Sequence, residues 1–314
     1  MAITAVQVTV GLPAIRPNLH RQKRDFVRRE DKVKRIINGE AASDELTFIA
    51  YIESYNQEIG WTSCAGNLIA ENVIVTSNKC VYILPTVQFT AEQIQVEFIH
   101  NTTEYLDFRG TDVAEIIVHP DFNYQTWEND VVVLMLNKTI PTSEGTLAKI
   151  YTGEYNMDVS PIVAGYGIVH DKDGNEYSDV LLQANFKIGT TEYCKVNMDY
   201  FNPEFQICTD DSTGYSACYE DNGGPMIVPV DNPDVKCALL GHSSFWNQDK
   251  NTNPKGICEL PGGTSYFTRL GPYADWIAKV SGLETINFTI SNVTAAPIEQ
   301  KVSPVVKCKK KANA

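Results

Sequence analysis

Residues 218–225 of the chain read Cys218-Tyr219-Glu220-Asp221-Asn222-Gly223-Gly224-Pro225. Three other distinctive stretches precede this one, at residues 35–39, 75–80 and 129–134. They read Arg35-Ile36-Ile37-Asn38-Gly39, Val75-Thr76-Ser77-Asn78-Lys79-Cys80 and Asn129-Asp130-Val131-Val132-Val133-Leu134. The order of these four stretches, together with the cysteines in and around them, decides the fold class.

The surrounding sequence has the pattern of an all-β protein. Between residue 36 and about residue 270, short runs rich in β-branched and aromatic residues alternate with turn residues, which favours a sandwich or a barrel. One helix is expected over Pro272–Val280, because its apolar residues recur three or four positions apart. The clearest β runs are Phe48–Ile52, Gly66–Thr76, Ile94–Ile99, Val113–Val118, Val131–Leu136, Ile162–Tyr166 and Ala238–Leu240.

Length and composition indicate a folded protein. The 314 residues are 43% hydrophobic and 21% charged, which allows a full core and excludes a mostly disordered chain. No run of eighteen apolar residues occurs, so we expect no membrane-spanning helix.

Charge is distributed unevenly along the chain. Residues 1–35 hold nine Lys/Arg and three Asp/Glu, which gives this segment a net charge of +6. Because the whole chain has a net charge of −13, the remaining residues carry −19. A body this acidic repels phosphate backbones, which argues against a nucleic acid partner. It favours a basic or neutral protein partner, although solubility alone also explains such a charge.

The cysteines and glycosylation sequons bear on the compartment. Eight cysteines lie apart without a C-x-x-C pair, so we expect neither a metal site nor a cofactor. Together with four N-x-S/T sequons they favour a secreted protein. Residues 1–14 are only mildly apolar, which indicates a degenerate or truncated signal peptide first and a cytosolic protein second. The sequons are at Asn101, Asn137, Asn287 and Asn292.

The four quoted stretches resemble those of the chymotrypsin/trypsin family of serine proteases. They resemble, in order, the activation junction R-I-V-G-G and the segments V-T-A-A-H-C, N-D-I-A-L-L and C-x-G-D-S-G-G-P. The resemblance covers about residues 36–282. It implies two packed antiparallel β-barrels with a reactive cleft between them and a C-terminal helix.

The resemblance also implies domain boundaries and disulfides. We expect a basic leader at 1–35, a first barrel at about 36–150, a second at 151–270, the helix at 271–283 and a flexible tail at 284–314. The family's bridges correspond to Cys64–Cys80, Cys194–Cys208 and Cys218–Cys258. Cys237 and Cys308 remain, and either they pair with each other or Cys308 links two chains.

The catalytic residues of the family are replaced at two of three triad positions. The base position is held by Lys79, whose amine stays protonated beside a carboxylate at neutral pH. The nucleophile position is held by Asn222, whose amide is not a usable nucleophile. Only Asp130 remains, and we expect it to form an ion pair with Lys79.

The cleft differs from that of the family as well. Glu220 replaces the glycine next to the oxyanion hole, where a negative charge is unfavourable. Phe245 and Trp246 follow Ser244 on the strand that lines the substrate, with Trp246 in place of a glycine. The specificity position falls on Ser216.

Some parts of the scaffold match the family. Arg35-Ile36 matches the activation junction, and Asp221 matches the acid that pairs with the new amino terminus after cleavage. The junction is either still processed or an inherited remnant.

These replacements predict a secreted protease homologue that does not cleave peptides. It would bind an unidentified protein as a decoy, inhibitor or cofactor. The alternative is an active serine endopeptidase with a rewired pair such as His242 and Ser244. A third hypothesis, a hydrolase using Asp130 or Glu220, has no supporting carboxylate spacing.

Overall fold

A computed structural model of the chain describes residues 39–291, with short gaps. The gaps are 43–45, 59, 85–86, 99–109, 142–146, 156–158, 171–175, 178–180, 211–215, 219, 231, 233, 236, 249–254, 256–257 and 259–262. The leader at 1–35, with Arg35 and Ile36, therefore lies outside the described residues, as do Asn101, Asn292 and Cys308.

The described chain is mostly β, as the sequence predicts. The first half contains β1 (Glu40–Ala41), β2 (Ile49–Asn56), β3 (Gly60–Ala70), β4 (Val73–Thr76), β5 (Tyr82–Leu84), β6 (Val87–Gln88), β7 (Ile94–Glu97), β8 (Thr111–Val118) and β9 (Val132–Leu136). The second half contains β10 (Ile150–Tyr151), β11 (Ile162–Gly165), β12 (Ile168–His170), β13 (Glu176–Tyr177), β14 (Leu182–Asn185), β15 (Gln206–Cys208), β16 (Pro225–Pro229), β17 (Cys237–Gln248), β18 (Gly263–Arg269) and β19 (Thr289–Ile290). The helices are α1 (Thr191–Asn197), α2 (Ala274–Ser281) and α3 (Thr285–Phe288), and 3-10 turns lie at Asn78–Cys80, Ala91–Gln93 and Gly271–Tyr273.

The first half closes into a six-stranded barrel in the order β2-β3-β4-β9-β8-β7. The apolar strands β4 and β9 pair antiparallel at its centre, with Val75 opposite Val133 and Ile74 opposite Leu134. All four of these side chains are buried. The short turn after β4 therefore starts from a fixed position, and it carries Lys79 into the cleft.

The second half is a nine-stranded sheet with the main order β1-β14-β11-β16-β17-β10-β19, to which β18 and β15 add through β17. The segments that directly follow β14 and β15 meet at one isolated β-bridge, between Ile188 and Thr209. Hydrogen bonds from Gly189 N to Cys208 O (2.9 Å) and from Asp210 N to Lys187 O (2.8 Å) flank this bridge. The predicted second barrel is thus closed by a few bonds rather than by a full strand pair.

The C-terminal helix forms where the sequence predicts it. Gly271–Tyr273 is a 3-10 turn that leads into α2, whose Ile277 is fully buried in the same apolar cluster as the first barrel. The His119 ring lies 4.7 Å from the Trp276 ring and 5.6 Å from the Tyr273 ring, measured between centroids. The C-terminal segment therefore packs back onto the first half.

The expected start of a flexible tail at residue 284 is wrong for the residues that follow it directly. Residues 285–290 form α3 and β19, and β19 pairs in parallel with β10. Phe288 is fully buried. Burial of this one aromatic side chain extends the folded body to at least Ile290, and the rest of the expected tail is outside the described residues.

Three of the implied disulfides are confirmed. Cys64–Cys80, Cys194–Cys208 and Cys218–Cys258 are bonded, with Cα–Cα distances of 5.7, 5.7 and 5.8 Å. Cys237 is also in a disulfide. Because Cys308 lies outside the described residues, the pairing of these two cysteines stays a prediction.

Two sequons fall within the described residues. The side chains of Asn137 and Asn287 are both exposed. Among the described residues, no helix is both long and apolar enough to cross a membrane.

Candidate active site

Asp130 lies fully buried at the entrance to β9, where the two halves meet. Its carboxylate accepts hydrogen bonds from Ser77 Oγ at 3.0 Å, from Asn78 N at 2.6 Å and from Asn78 Nδ2 at 3.0 Å. The Ser244 hydroxyl of β17 donates a fourth. A carboxylate has about four lone-pair sites, so these four uncharged donors saturate it.

The expected ion pair between Lys79 and Asp130 is therefore wrong. No acidic oxygen of the described residues lies within 4.0 Å of the Lys79 ammonium, which stands instead over the Trp127 ring, 5.3 Å from its centroid. Burial lowers the pKa of Lys79, and the charge of Asp130 opposes that shift from a distance. Neutral donors from the neighbouring turn have taken the positions that the lysine would need.

Asn222 occupies the tight turn before β16. Its backbone carbonyl accepts from Ala65 N at 2.9 Å, and its side-chain Nδ2 donates to the Ser244 carbonyl at 2.6 Å. Gly223 follows with φ +77°, and a Cβ there would lie 2.0 Å from Ala65 O. Only glycine fits this position, which fixes the direction in which the Asn222 side chain leaves the turn.

Glu220 adopts a backbone conformation that favours glycine. Its φ is +73°, and its carboxylate accepts a hydrogen bond from the Ser63 hydroxyl on β3. A side chain in the left-handed region costs about 1 kcal/mol. The bond to Ser63 holds this carboxylate in place two residues before Asn222 in the chain.

Asp221 is buried beneath the turn. Its carboxylate accepts hydrogen bonds from Gly167 N and Cys218 N, both at 2.9 Å. Desolvation raises its pKa to about 7, in spite of the two backbone donors. Its expected partner, the amino group of Ile36, lies outside the described residues, so this pairing stays a prediction.

The cleft encloses about 280 Å³ of empty space, the part open to solvent included. The side chains around it come from both halves. They are Lys79, Ala217, Cys218, Asn222, Ser243, Phe245 and Trp246.

Trp246 fills the side of the cleft next to the Cys218–Cys258 disulfide, against which its ring packs. A Cβ at Gly263 on the neighbouring strand β18 would lie 2.6 Å from the indole. The glycine therefore leaves the room that the ring occupies. Ser216, the expected specificity position, is 4% exposed, donates to the Ala217 carbonyl at 3.0 Å and does not line the cleft.

Trp127 is a site residue that the sequence analysis missed. Its ring stacks on Phe245 with 5.2 Å between centroids, and Phe245 stacks on Tyr266 at 4.7 Å. Trp127 itself has φ +55°, in the loop before Asp130. Because Phe245 lies in the second half and Lys79 on a separate turn of the first half, no local pattern could have indicated that Trp127 belongs to the site.

His242 is the one histidine near the cleft in the described part of the chain. It is fully buried, its Nε2 lies 2.8 Å from the Asp130 carbonyl oxygen, and its Nδ1 has no partner there. Burial lowers its pKa. The Ser244 hydroxyl donates to the Asp130 carboxylate, so no hydrogen bond joins this serine to His242. In the same described residues, no group of three metal-ligating side chains is close enough together to hold an ion.

Comparison with known proteins agrees with the fold. The family model described as Trypsin matches residues 36–277. Mouse cathepsin G is 24% identical over 79% of this chain and 86% of its own length. A trypsin of Saccharopolyspora erythraea is 25% identical over 76% of this chain and 95% of its own. Rat granzyme B is 26% identical over 78% of this chain and 90% of its own length.

Proposed function

Because the chain belongs to the trypsin-like serine protease family, we propose that it is a secreted homologue that binds another protein without cleaving it. The decoy, inhibitor and cofactor roles all fit this class. The observation that carries the proposal is the Asn222 side chain, which takes the nucleophile's place and closes onto the Ser244 carbonyl. In the family, the backbone at the position of Ser244 pairs with the substrate. Here the Ser244 carbonyl oxygen accepts a hydrogen bond from Asn222 within the chain instead.

The general base is missing as well. Lys79 holds the base position, and the Asp130 charge opposes the lowering of its pKa by burial. An acyl transfer of this kind needs a base that accepts the nucleophile's proton. Loss of nucleophile or base alone costs a factor of ~10⁶ in kcat in subtilisin. This chain carries replacements at both positions.

The oxyanion position and the cleft support the same conclusion. The Glu220 carboxylate brings negative charge to the edge of the site where an oxyanion would develop, which disfavours that charge. Trp246 reduces the space beside the Cys218–Cys258 disulfide. Both replacements act against a bound substrate as well as against its transition state.

Protein binding has support on the surface. Trp61 is 50% exposed on β3 and lies 4.8 Å from the Tyr55 ring on β2, between centroids. Aromatic residues are enriched at the centres of protein interfaces. Secretion is favoured by the three disulfides and by the exposed sequons at Asn137 and Asn287.

The alternative is an active endopeptidase with a rewired pair. His242 and Ser244 are both buried, and each bonds to a different part of Asp130. For Ser244 to attack a peptide, its hydroxyl would have to leave the carboxylate. This alternative therefore requires a rearrangement of the best-bonded group in the site.

Peptidase assays of the full chain test the proposal. Residues 31–35 would be replaced by DDDDK, so that enteropeptidase releases Ile36 in each sample, and a broad peptide library would be the substrate. The matched variant carries Lys79→His, Glu220→Gly and Asn222→Ser. We expect no hydrolysis by the natural residues. Hydrolysis that Ser244→Ala abolishes would contradict the proposal and support the rewired pair.

The variant adds a second result. If it cleaves peptides, the missing side chains alone account for the inactivity. If it is also silent, a further Trp246→Gly change tests whether the indole blocks the cleft. Mass spectrometry of non-reduced protein, in the same preparation, tests whether Cys308 pairs with Cys237 or joins two chains.

A further inference from the structure

The cleft has an ammonium group whose hydrogen-bond donors are unused. Within the described residues, the Lys79 ammonium has no acidic partner within 4.0 Å, and it lies over the face of Trp127. Partial burial of an ammonium group without a counter-ion has a cost in free energy. An anion from outside the chain would relieve this cost.

The nearby acid does not serve that purpose. Four donors from Ser77, Asn78 and Ser244 saturate the Asp130 carboxylate. The charge of Asp130 therefore opposes the lowering of the Lys79 pKa by burial, without accepting hydrogen bonds from the ammonium. The three N–H groups of the lysine remain available to a ligand.

Neither the Ser244 carbonyl nor the Trp246 indole offers an acceptor to a ligand. The Ser244 carbonyl already accepts from Asn222 Nδ2 at 2.6 Å. The Trp246 indole N–H is buried and has no acceptor in the described part of the chain. The unpaired Lys79 ammonium favours a ligand that only accepts hydrogen bonds, as an ionised carboxylate does.

We propose that the cleft binds a carboxylate group of a partner protein, with the Lys79 ammonium as its counter-ion and with Phe245 and Trp246 packed against the atoms that carry it. This rests on the proposed function, since it assigns the cleft to binding. All three of these residues line the cleft.

The acidic body limits which partner fits. The chain beyond residue 35 carries −19, so long-range attraction favours a neutral or basic partner. Screening at physiological ionic strength acts over about 8 Å, so at close range the single charge of Lys79 decides. The Glu220 carboxylate is bonded to Ser63. The partner is therefore a non-acidic protein that presents one carboxylate.

Binding of three ligands of similar shape to the full natural chain tests this proposal. The probes are benzoate, benzamide and benzamidinium, measured by calorimetry and by tryptophan fluorescence. We expect benzoate to bind at least tenfold more tightly than the other two. We also expect Lys79→Met to weaken benzoate at least tenfold, Lys79→Arg to retain part of the binding, and Lys149→Met to change nothing. Lys149 is a suitable control because burial lowers its pKa too, while its amine donates to the Asn287 carbonyl.

A second measurement does not depend on any variant folding. Lysines of the natural chain would be ¹³C-dimethylated, which preserves their charge, and the Lys79 signal titrated by NMR with and without benzoate. We expect benzoate to move this titration to higher pH and to leave the Lys149 signal unchanged. Equal binding of benzamide, tighter binding of benzamidinium, equal binding of inorganic phosphate, or an unmoved Lys79 signal would each overturn the proposal.

Two peptide probes distinguish the sources of the carboxylate. N-acetyl-phenylalanine presents a terminal carboxylate, and N-acetyl-glutamate amide presents a side-chain carboxylate. Stronger binding of the first assigns a partner's chain end, and stronger binding of the second assigns an Asp or Glu side chain. Failure of the proposed function is separate: a chain that cleaves peptides yet binds benzoate through Lys79 refutes only the lack of catalysis. A silent chain that does not bind benzoate refutes only the carboxylate site.

Discussion

The hydroxyl of Ser244 in the second half of the chain donates a hydrogen bond to the buried carboxylate of Asp130 in the first half. Hydrogen bonds to charged groups contribute about 1.5–3 kcal/mol. We therefore expect Ser244→Ala to lower the free energy of unfolding by about 2 kcal/mol, measured by urea denaturation. Ser243→Ala is the matched control, because no side-chain hydrogen bond of this buried serine is found in the described residues. Equal losses in the two variants would show that the bond does not stabilise the fold.

The saturation of Asp130 by neutral donors leads to a different prediction for Lys79. Without a direct ion pair, Lys79→Met should change the free energy of unfolding by less than about 1 kcal/mol. Asn78→Ala removes the side-chain Nδ2 donor to Asp130 and keeps the backbone N–H, so it should cost about 1.5–3 kcal/mol. Thermal unfolding at pH 7 compares the two. A larger loss of stability for Lys79→Met than for Asn78→Ala would indicate that Lys79 and Asp130 form the ion pair expected from the sequence.

The positive φ of Glu220 can be tested with two substitutions that remove the same carboxylate. Glu220→Gly and Glu220→Ala both lose the hydrogen bond from Ser63, but only glycine accepts φ +73° without strain. We expect the glycine variant to be more stable by about 1 kcal/mol. Urea denaturation measures the difference. Equal stability would indicate that the loop relaxes to another conformation when the carboxylate is lost.

The contact between Trp246 and Gly263 predicts a coupling between the two strands. A Cβ at residue 263 would lie 2.6 Å from the indole, so Gly263→Ala should cost about 1–3 kcal/mol and change the tryptophan emission. In a Trp246→Ala background the same change should cost less, because the obstacle is gone. A double-mutant cycle measures the coupling. Additive effects would mean that the ring does not occupy the space above Gly263.

The buried carboxyl group of Asp221 should make the stability of the chain depend on pH as long as the chain is not cleaved after Arg35. Burial raises its pKa to about 7 from 3.8, so between these values the folded state binds more protons than the unfolded state. Stability from this group is therefore fully present below about pH 4 and is lost as the pH rises through 7. We expect the natural chain to lose stability from pH 5 to 7.5 relative to Asp221→Asn. Both proteins would carry Arg35→Gln, which keeps the junction intact.

Urea unfolding at several pH values measures this difference. If the two proteins show the same pH dependence, Asp221 is ionised throughout the range and has a cationic partner. The same experiment after release of Ile36 reports on insertion of the new amino group. The inserted amino group would lower the pKa of Asp221, so the loss of stability with rising pH would be reversed.

Through its resemblance to a known family, the sequence by itself predicted the fold class and three disulfides, which the structure confirms, and it predicts that Lys79 and Asn222 replace two catalytic residues. These depend on the order of short motifs and on residue types at known offsets, such as Lys79 before Cys80 and Asn222 before Gly223. The C-terminal helix was predictable for a similar reason, because the spacing of its apolar residues repeats locally. Residues 285–290 lack such a repeat, so the burial of Phe288 was not predictable.

Only the tertiary structure decided how the site's charges are satisfied. Asp130 takes its donors from residues 52 to 114 positions away in the chain, and counting its lone pairs requires knowing all of them. The same holds for Trp127 beneath Lys79, for Glu220 bonded to Ser63, and for the space that Gly263 leaves to Trp246. Each contact joins segments that are distant in the sequence, and packing rather than local preference selects among the possible partners.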